Sequence, residues 1–421
     1  MQLRRSSDGQ LVSFRSAATL GVGGEARIYA VADTPELAAK VYHRPTGDHA
    51  AKLAAMLANR PEDPMANQGH VSIAWPSELL IACSGTEQVM GFLMPRVKGM
   101  SPIIDFYHPK TRRQKHPLFN YRYLLRTARN LAACVSALHT RGYVIGDLNE
   151  SNILLGDTAL VTLVDTDSFQ VPDEHHRRIH RCRVGKPEFT PPELQSVRFE
   201  WVDRKPEHDL FGLGVLFFQL LMEAIYPFAG RHIGQGEPPS LEERITAGSF
   251  PYALAGRQHG AGPMPTAPPF ELLDPGVRDL FLRCFVEGHS NPSKRPDAQT
   301  WRRVLLAAEE SLTTCSVNAQ HLYRVHLPSC PWCQRRELFQ GADSFPSEAD
   351  LKRGRFWRVA LKSRKPVRAG RIEYETAIHI AEASIVRSRR ERVVLAVLLV
   401  IIAVGLVAYW CWGIRLILLN K

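Results

Sequence analysis

The stretch YVIGDLNESNILLGDTALVTLVDTDSFQV, residues 143–171, constrains the fold of this chain more than any other. Asp147 and Asn152 are five residues apart, NILL reads as the start of a strand, and a second apolar strand, LVTLVD, ends on Asp165. Two short strands of this kind hold a carboxylate, an amide and a second carboxylate at their ends. One carboxylate in such a set can receive the proton of a hydroxyl, while the amide and the other carboxylate can hold Mg²⁺ bridging nucleotide phosphates. The chain around it has 421 residues, of which 45% are hydrophobic and 23% charged. That length allows two or three domains with full cores, and the composition excludes a fibrous or mostly disordered chain.

Two further features lie upstream. In LGVGGEARIYAV, residues 20–31, strand-like flanks enclose a glycine-rich turn whose Gly21, Gly23 and Gly24 would let backbone N–H groups approach phosphate oxygens. Such glycines also make plain hairpins. Lys40 then sits inside LAAKVY, a short apolar run that reads as a strand. A lysine in a strand is more often a solvated edge residue than a ligand.

In this order the motifs resemble the eukaryotic-like Ser/Thr protein kinases, whose pattern is a Gly-rich loop, a strand Lys, HRDxxxxN, DFG and APE. By that resemblance Lys40 matches the lysine on the α- and β-phosphates of ATP, Asp147 the catalytic base, and Asn152 and Asp165 the Mg²⁺ ligands. LMPRV, residues 93–97, would form the hinge against adenine, with Met94 and Val97 in contact with the nucleotide. VGKPEFTPPEL resembles the substrate-docking loop, EHDLFGLGVLFFQLL the helix that opens on a buried Asp, here Asp209, and NPSKRPDAQTW the motif whose Arg295 pairs with Glu193. Small-molecule phosphotransferases share the Asp, Asn, Asp order but generally lack the docking loop and that Glu–Arg pair, so the resemblance implies a protein substrate. WP after the first helix, GDLNxxN, DxDSFQ and a CPWC knuckle are similar to a divergent bacterial branch.

The departures from the family pattern matter as much. Ala26 replaces the third loop glycine, Ile145 and Gly146 replace the His and Arg of HRD, and Thr166 and Asp167 replace the Phe and Gly of DFG. HAAKLAAMLANR reads as the following helix but carries no Glu for Lys40, which leaves Glu62 and Glu78 as alternatives. Asn149 stands where the family has a Lys near the transferring phosphoryl group, and Lys186, after Gly185, stands where it has a Thr. Lys186 is therefore expected to supply the missing ammonium. No Ser, Thr or Tyr occurs between Ser168 and Thr190, and the Arg that would read a phosphate there is absent, so control by phosphorylation of this loop is not expected. The competing reading is a pseudokinase, a membrane-tethered nucleotide-binding scaffold.

The C-terminal part adds two expectations. CSVNAQHLYRVHLPSCPWC, residues 315–333, offers Cys315, Cys330, Cys333 and either His321 or His326, four ligands suited to a tetrahedral, structural Zn²⁺. A redox CxxC would need a βαβ context that is not visible here. Of the net charge of +11, +9 falls within residues 351–392, immediately before VVLAVLLVIIAVGLVAYWCWGI, residues 393–414, which carry no charge. That run would span ~33 Å as a helix, enough for a bilayer core of ~30 Å. Arginines before it place the preceding chain on the cytoplasmic side of a cell inner membrane in a single-pass topology. The basic stretch suits anionic lipid better than nucleic acid, since few aromatics interleave it.

The expected fold is thus α+β: a two-lobed protein-kinase fold with its small lobe at 14–96 and its helical lobe at 97–309. A zinc knuckle at 310–335, a basic juxtamembrane linker at 336–392 and one transmembrane helix at 393–414 complete it.

Overall fold

The first hundred residues form short strands from brief, mostly apolar runs such as LAAKVY and VMGFLMP, separated by polar turns. A computed structural model describes residues 2–14, 19–83 and 87–354. Seven strands pair antiparallel: β1 (Gln2–Arg5), β2 (Leu11–Ser13), β3 (Thr19–Val22), β4 (Ala26–Ala30), β5 (Leu37–Tyr42), β6 (Glu78–Ile81) and β7 (Val89–Pro95). Their order is β2-β1-β6-β7-β5-β4-β3. Five of the six residues of β5 are buried, so Lys40 lies in a central strand and not at a solvated edge. The sheet begins twelve residues before the expected start at 14. Asp8 and Gly9 make the turn, with Gly9 at φ 71°, and Leu3, Val12 and Phe14 pack with Tyr29, Val31, Ala39, Val41, Leu80 and Leu93. A DG pair between apolar alternations is a hairpin signal.

Helix α1 (Gly47–Ala58) crosses this sheet, started by a reciprocal cap between Thr46 and His49 and buried through Leu53 and Met56. The helical lobe is built on α2 (Tyr121–Thr140), whose buried residues recur every three or four positions, and on α3 (Pro206–Leu221). Twelve residues of α3 are buried, as expected for a helix hydrophobic on nearly every face. Helix α4 (Ala298–Glu310) lies on α2, where Arg126 Nε donates to Glu309 at 2.8 Å. The short strand β8 (Ser101–Pro102) before α2 pairs with two strands between α2 and α3, β9 (Ile153–Leu155) and β10 (Val161–Leu163), in the order β10-β9-β8. A hairpin of β11 (Val171–Asp173) and β12 (Arg178–His180) follows.

Segment 72–76, between α1 and β6, packs the small lobe onto the helical lobe. Ile73 bridges Leu163, Thr166 Oγ1 donates to the Ala74 carbonyl at 3.0 Å, and Trp75 Nε1 donates to the Met56 carbonyl at 3.0 Å. The Trp75 ring stands edge-on to Tyr143 at 4.8 Å and tilted on Phe169 at 6.5 Å.

The expected knuckle forms β13 (Leu312–Thr314), β14 (Leu322–Arg324) and α5 (Pro331–Leu338). It is continuous with the helical lobe, since Cys315, Cys330, Trp332 and Phe345 share one core with Tyr121. The linker expected from 336 is folded at its start, because α5 continues to Leu338 and Ser344 and Phe345 are buried. Phe345 lies under the Arg112 guanidinium at 4.4 Å, and Arg112 pairs with Glu223 at 2.7 Å. The basic stretch beyond 354 and the apolar run 393–414 lie outside the described residues. Among the described residues, no helix is long and apolar enough to cross a membrane.

Candidate active site

Loop 143–152 is positioned by α3. Asp209, buried near the start of that helix, accepts from Ile145 N at 2.7 Å and Gly146 N at 2.8 Å, and meets His139 at 2.9 Å. Gly146 has φ 72°, and a Cβ there would come within 2.7 Å of Arg204 Nη1 and 2.8 Å of Cys182. The site of the missing HRD arginine is thus filled from elsewhere. Arg204 donates to the carbonyls of Gly146 and Val184, and its own backbone is held by Gln170, which accepts from Arg204 N at 2.7 Å.

The resulting loop presents Asp147. Asn152 Nδ2 donates to Asp147 Oδ2 at 3.1 Å, which leaves its amide oxygen as the ligand atom it can offer, while Asp147 Oδ1 is buried with no hydrogen-bond partner. Burial pushes the Asp147 carboxyl above its ordinary pKa, against the opposing pull of the Asn152 and Asn149 amides and the Lys186 charge. A buried carboxylate oxygen with no partner suits an incoming hydroxyl.

Across from it, Lys40 Nζ donates to Asp165 Oδ1 and to Asp167 Oδ1, each at 2.6 Å. Burial would lower the Lys40 pKa, but the two carboxylates outweigh it and hold the group charged. Asp165 adopts φ 59°, a left-handed conformation that Asp tolerates better than most residues. Neither alternative partner reaches Lys40: Glu62 lies 3.7 Å from Arg141, and Glu78 accepts from the Ser6 and Ser7 hydroxyls at 2.8 and 2.5 Å. Asp167 was missed because its position holds Gly in DFG. A second Asp two residues after the first was the available signal.

Gly21 pairs with Ile28 within β3, and Gly23 and Gly24 form the turn to β4, where Gly23 N donates to the Ala26 carbonyl at 2.9 Å. Met94 pairs with Ala38 near the end of β7, and Val97 follows in the connector to the helical lobe. Lys186 Nζ donates to Glu150 Oε1 at 2.8 Å and Ser151 Oγ at 2.6 Å, so it lies beside the loop without a bond to Asp147. Asn149 is buried, donating to the Asp147 carbonyl at 2.9 Å and accepting from Ser151 N at 2.9 Å. Glu193 and Arg295 form two parallel bonds of 2.6 and 2.7 Å.

A second cluster lies in the knuckle. Ligand atoms of Cys315, His321, Cys330 and Cys333 all lie within 4.8 Å of one another. Cys315 Sγ is 3.7 Å from Cys333 Sγ, and His321 Nδ1 is 3.6 Å from Cys330 Sγ and 3.4 Å from Cys333 Sγ. A tetrahedron with Zn–S bonds of ~2.3 Å has edges of ~3.8 Å, so the four residues fit the ion. His321 Nε2 meets Asp343 Oδ1 at 2.8 Å, which turns Nδ1 toward the sulfurs. His326 is exposed and meets the Glu271 carbonyl instead, which decides between the two histidines. Burial raises the Cys315 thiol pKa, but backbone N–H groups of Val317 and Asn318 outweigh it and bring the thiol to about 7.

No family model matches the chain. Over 329 residues, 78% of its length, it is 34% identical to "Protein kinase YegI" of Escherichia coli strain K12, covering 49% of that protein. The chain is homologous to the YegI protein kinases. The same-named protein of Escherichia coli O157:H7 is 32% identical over 354 residues, 82% of this chain and 54% of that one. The chain therefore spans about half the length of the curated relatives it matches. Among solved structures, the "ROP18 kinase domain in complex with AMP-PNP and sucrose" aligns at 18% identity and TM-score 0.47, covering 73% of this chain and 84% of that one.

Proposed function

We propose that this chain is an ATP-dependent protein kinase that transfers the γ-phosphate to Ser or Thr hydroxyls of a protein substrate, itself included, at the cytoplasmic face of a membrane. The observation that carries the reading is Asp147, one oxygen held by Asn152 and the other buried and free to accept a hydroxyl proton. Asn152 and Asp165 would hold Mg²⁺, which when bound neutralises phosphate charge. Lys40 would orient the α- and β-phosphates, the glycine turn of β3 and β4 would cover them, and Met94 and Val97 would border adenine. Positioning of the acceptor against the γ-phosphate supplies most of the acceleration. The bidentate Glu193–Arg295 pair fixes a docking loop, which favours a protein over a small-molecule acceptor. Membrane attachment rests on the uncharged run 393–414 and on the basic stretch before it, drawn to anionic lipid. The knuckle would hold one structural Zn²⁺.

The test is transfer of radiolabelled γ-phosphate from Mg-ATP to casein and to the chain itself. Asp147→Asn is expected to abolish transfer and keep nucleotide binding, whereas Asp165→Asn should weaken both. Wild-type transfer by both variants would overturn the reading. A wild-type protein that binds Mg-ATP but transfers nothing would instead be the nucleotide-binding scaffold.

A further inference from the structure

Two departures from the family pattern converge on one ion pair. The expected helix carries no glutamate for Lys40, and an aspartate replaces the glycine of DFG. Asp167 gives both oxygens to the small lobe: Oδ1 accepts from Lys40 at 2.6 Å and Oδ2 from the Tyr42 hydroxyl at 2.9 Å. Its side chain is 5% exposed, against 42% for Asp165. The two aspartates are therefore not equivalent. Asp165 remains accessible to a metal ion, whereas Asp167 is committed on both sides to residues of one strand.

A lysine directed at phosphates needs a carboxylate to fix it, and that carboxylate must come from an element packed against β5. Helix α1 offers Asp48, which meets His180 and Arg183 at 3.3 and 3.5 Å and not Lys40. The acid of that helix is thus engaged elsewhere, and the carboxylates that reach Lys40 come from the loop after β10.

We propose that Asp167 is the positioning residue for Lys40, a loop-borne carboxylate in place of a helix-borne one, with Tyr42 holding it. The orientation of Lys40 then depends on the loop that carries the metal-binding Asp165. It does not depend on an acid on α1. The inference builds on the nucleotide-binding part of the reading above and does not require phosphoryl transfer.

The experiment is a double-mutant cycle on the affinity of a fluorescent ATP analogue, mant-ATP, with Mg²⁺, using the full chain. Asp167→Asn should weaken binding at least fivefold in the wild-type background. In a Lys40→Met background the same substitution should change it less than twofold, because Asp167 acts through Lys40. Any other pattern overturns the proposal, including equal losses in both backgrounds. Thermal melts establish that each variant is folded, and Asp167→Ser, which also removes the charge, replaces Asp167→Asn if the latter does not fold. Because binding is the readout, a wild type that binds mant-ATP without transferring phosphate leaves this cycle decisive while removing the kinase reading.

Discussion

Lys186 shows how far a single charge can be assigned from chain position. Its charge is felt at Asp147, yet its ammonium is bonded to Glu150 and Ser151. An ammonium held on the rim of the loop can favour negative charge moving across it without touching the base. Lys186→Thr should therefore lower kcat by about 10- to 100-fold, equivalent to about 1.4–2.7 kcal/mol, with nucleotide affinity within about twofold. Steady-state kinetics against ATP check this, and an unchanged kcat contradicts it. Restoring the family lysine at Asn149 is not expected to rescue the variant. Asn149 is 1% exposed, and its amide ties the Asp147 carbonyl to Ser151 N, so Asn149→Lys would break the loop it is meant to serve.

At the level of elements, the segment between β10 and α3 is held without a phosphate. Arg204 fastens Gly146 to Val184, Gln170 fastens Arg204, and His180 and Arg183 reach Asp48 of α1 at 3.3 and 3.5 Å. Phosphatase treatment should leave activity unchanged through this segment. Arg204→Met, which keeps bulk but removes both bonds, should cost at least about tenfold in kcat/KM, about 1.4 kcal/mol. An active Arg204→Met variant, or activity lost with a phosphate mapped between 168 and 190, would contradict the tether. The pairing of Asp147 with Asn152 on one loop, and of Lys40 inside β5 with Asp165, was legible in the sequence because local spacing and motif order set both. Arg204 and Asp167 were not, since both replace residues lost at other positions. Only packing shows that Gly146 is small because Arg204 occupies the space beside it. The opening hairpin falls before the expected start for a simpler reason: its DG turn follows two arginines and two serines, which dilute the apolar signal of the strands.

For the whole molecule, the knuckle is part of the helical lobe. Trp332 Nε1 donates to the Leu322 carbonyl at 2.7 Å, and the ring packs on Tyr121 at 5.0 Å and Phe345 at 4.7 Å. Chelation should therefore lower the melting temperature of the helical lobe as well as release metal, because site binding energy is also folding energy. Metal analysis of the reduced protein should give one Zn²⁺ per chain, falling to none in a Cys330→Ser/Cys333→Ser variant. Protein that contains no zinc, or a melt indifferent to chelator, would remove the claim. Segment 72–76 has an optical consequence. Trp75 is the indole that touches α1 through Met56, the loop of Asp147 through Tyr143 and the loop of Asp165 through Phe169. Any hinge motion that separates these three changes the polarity around one chromophore, so the protein carries its own fluorescent gauge of cleft opening at Trp75.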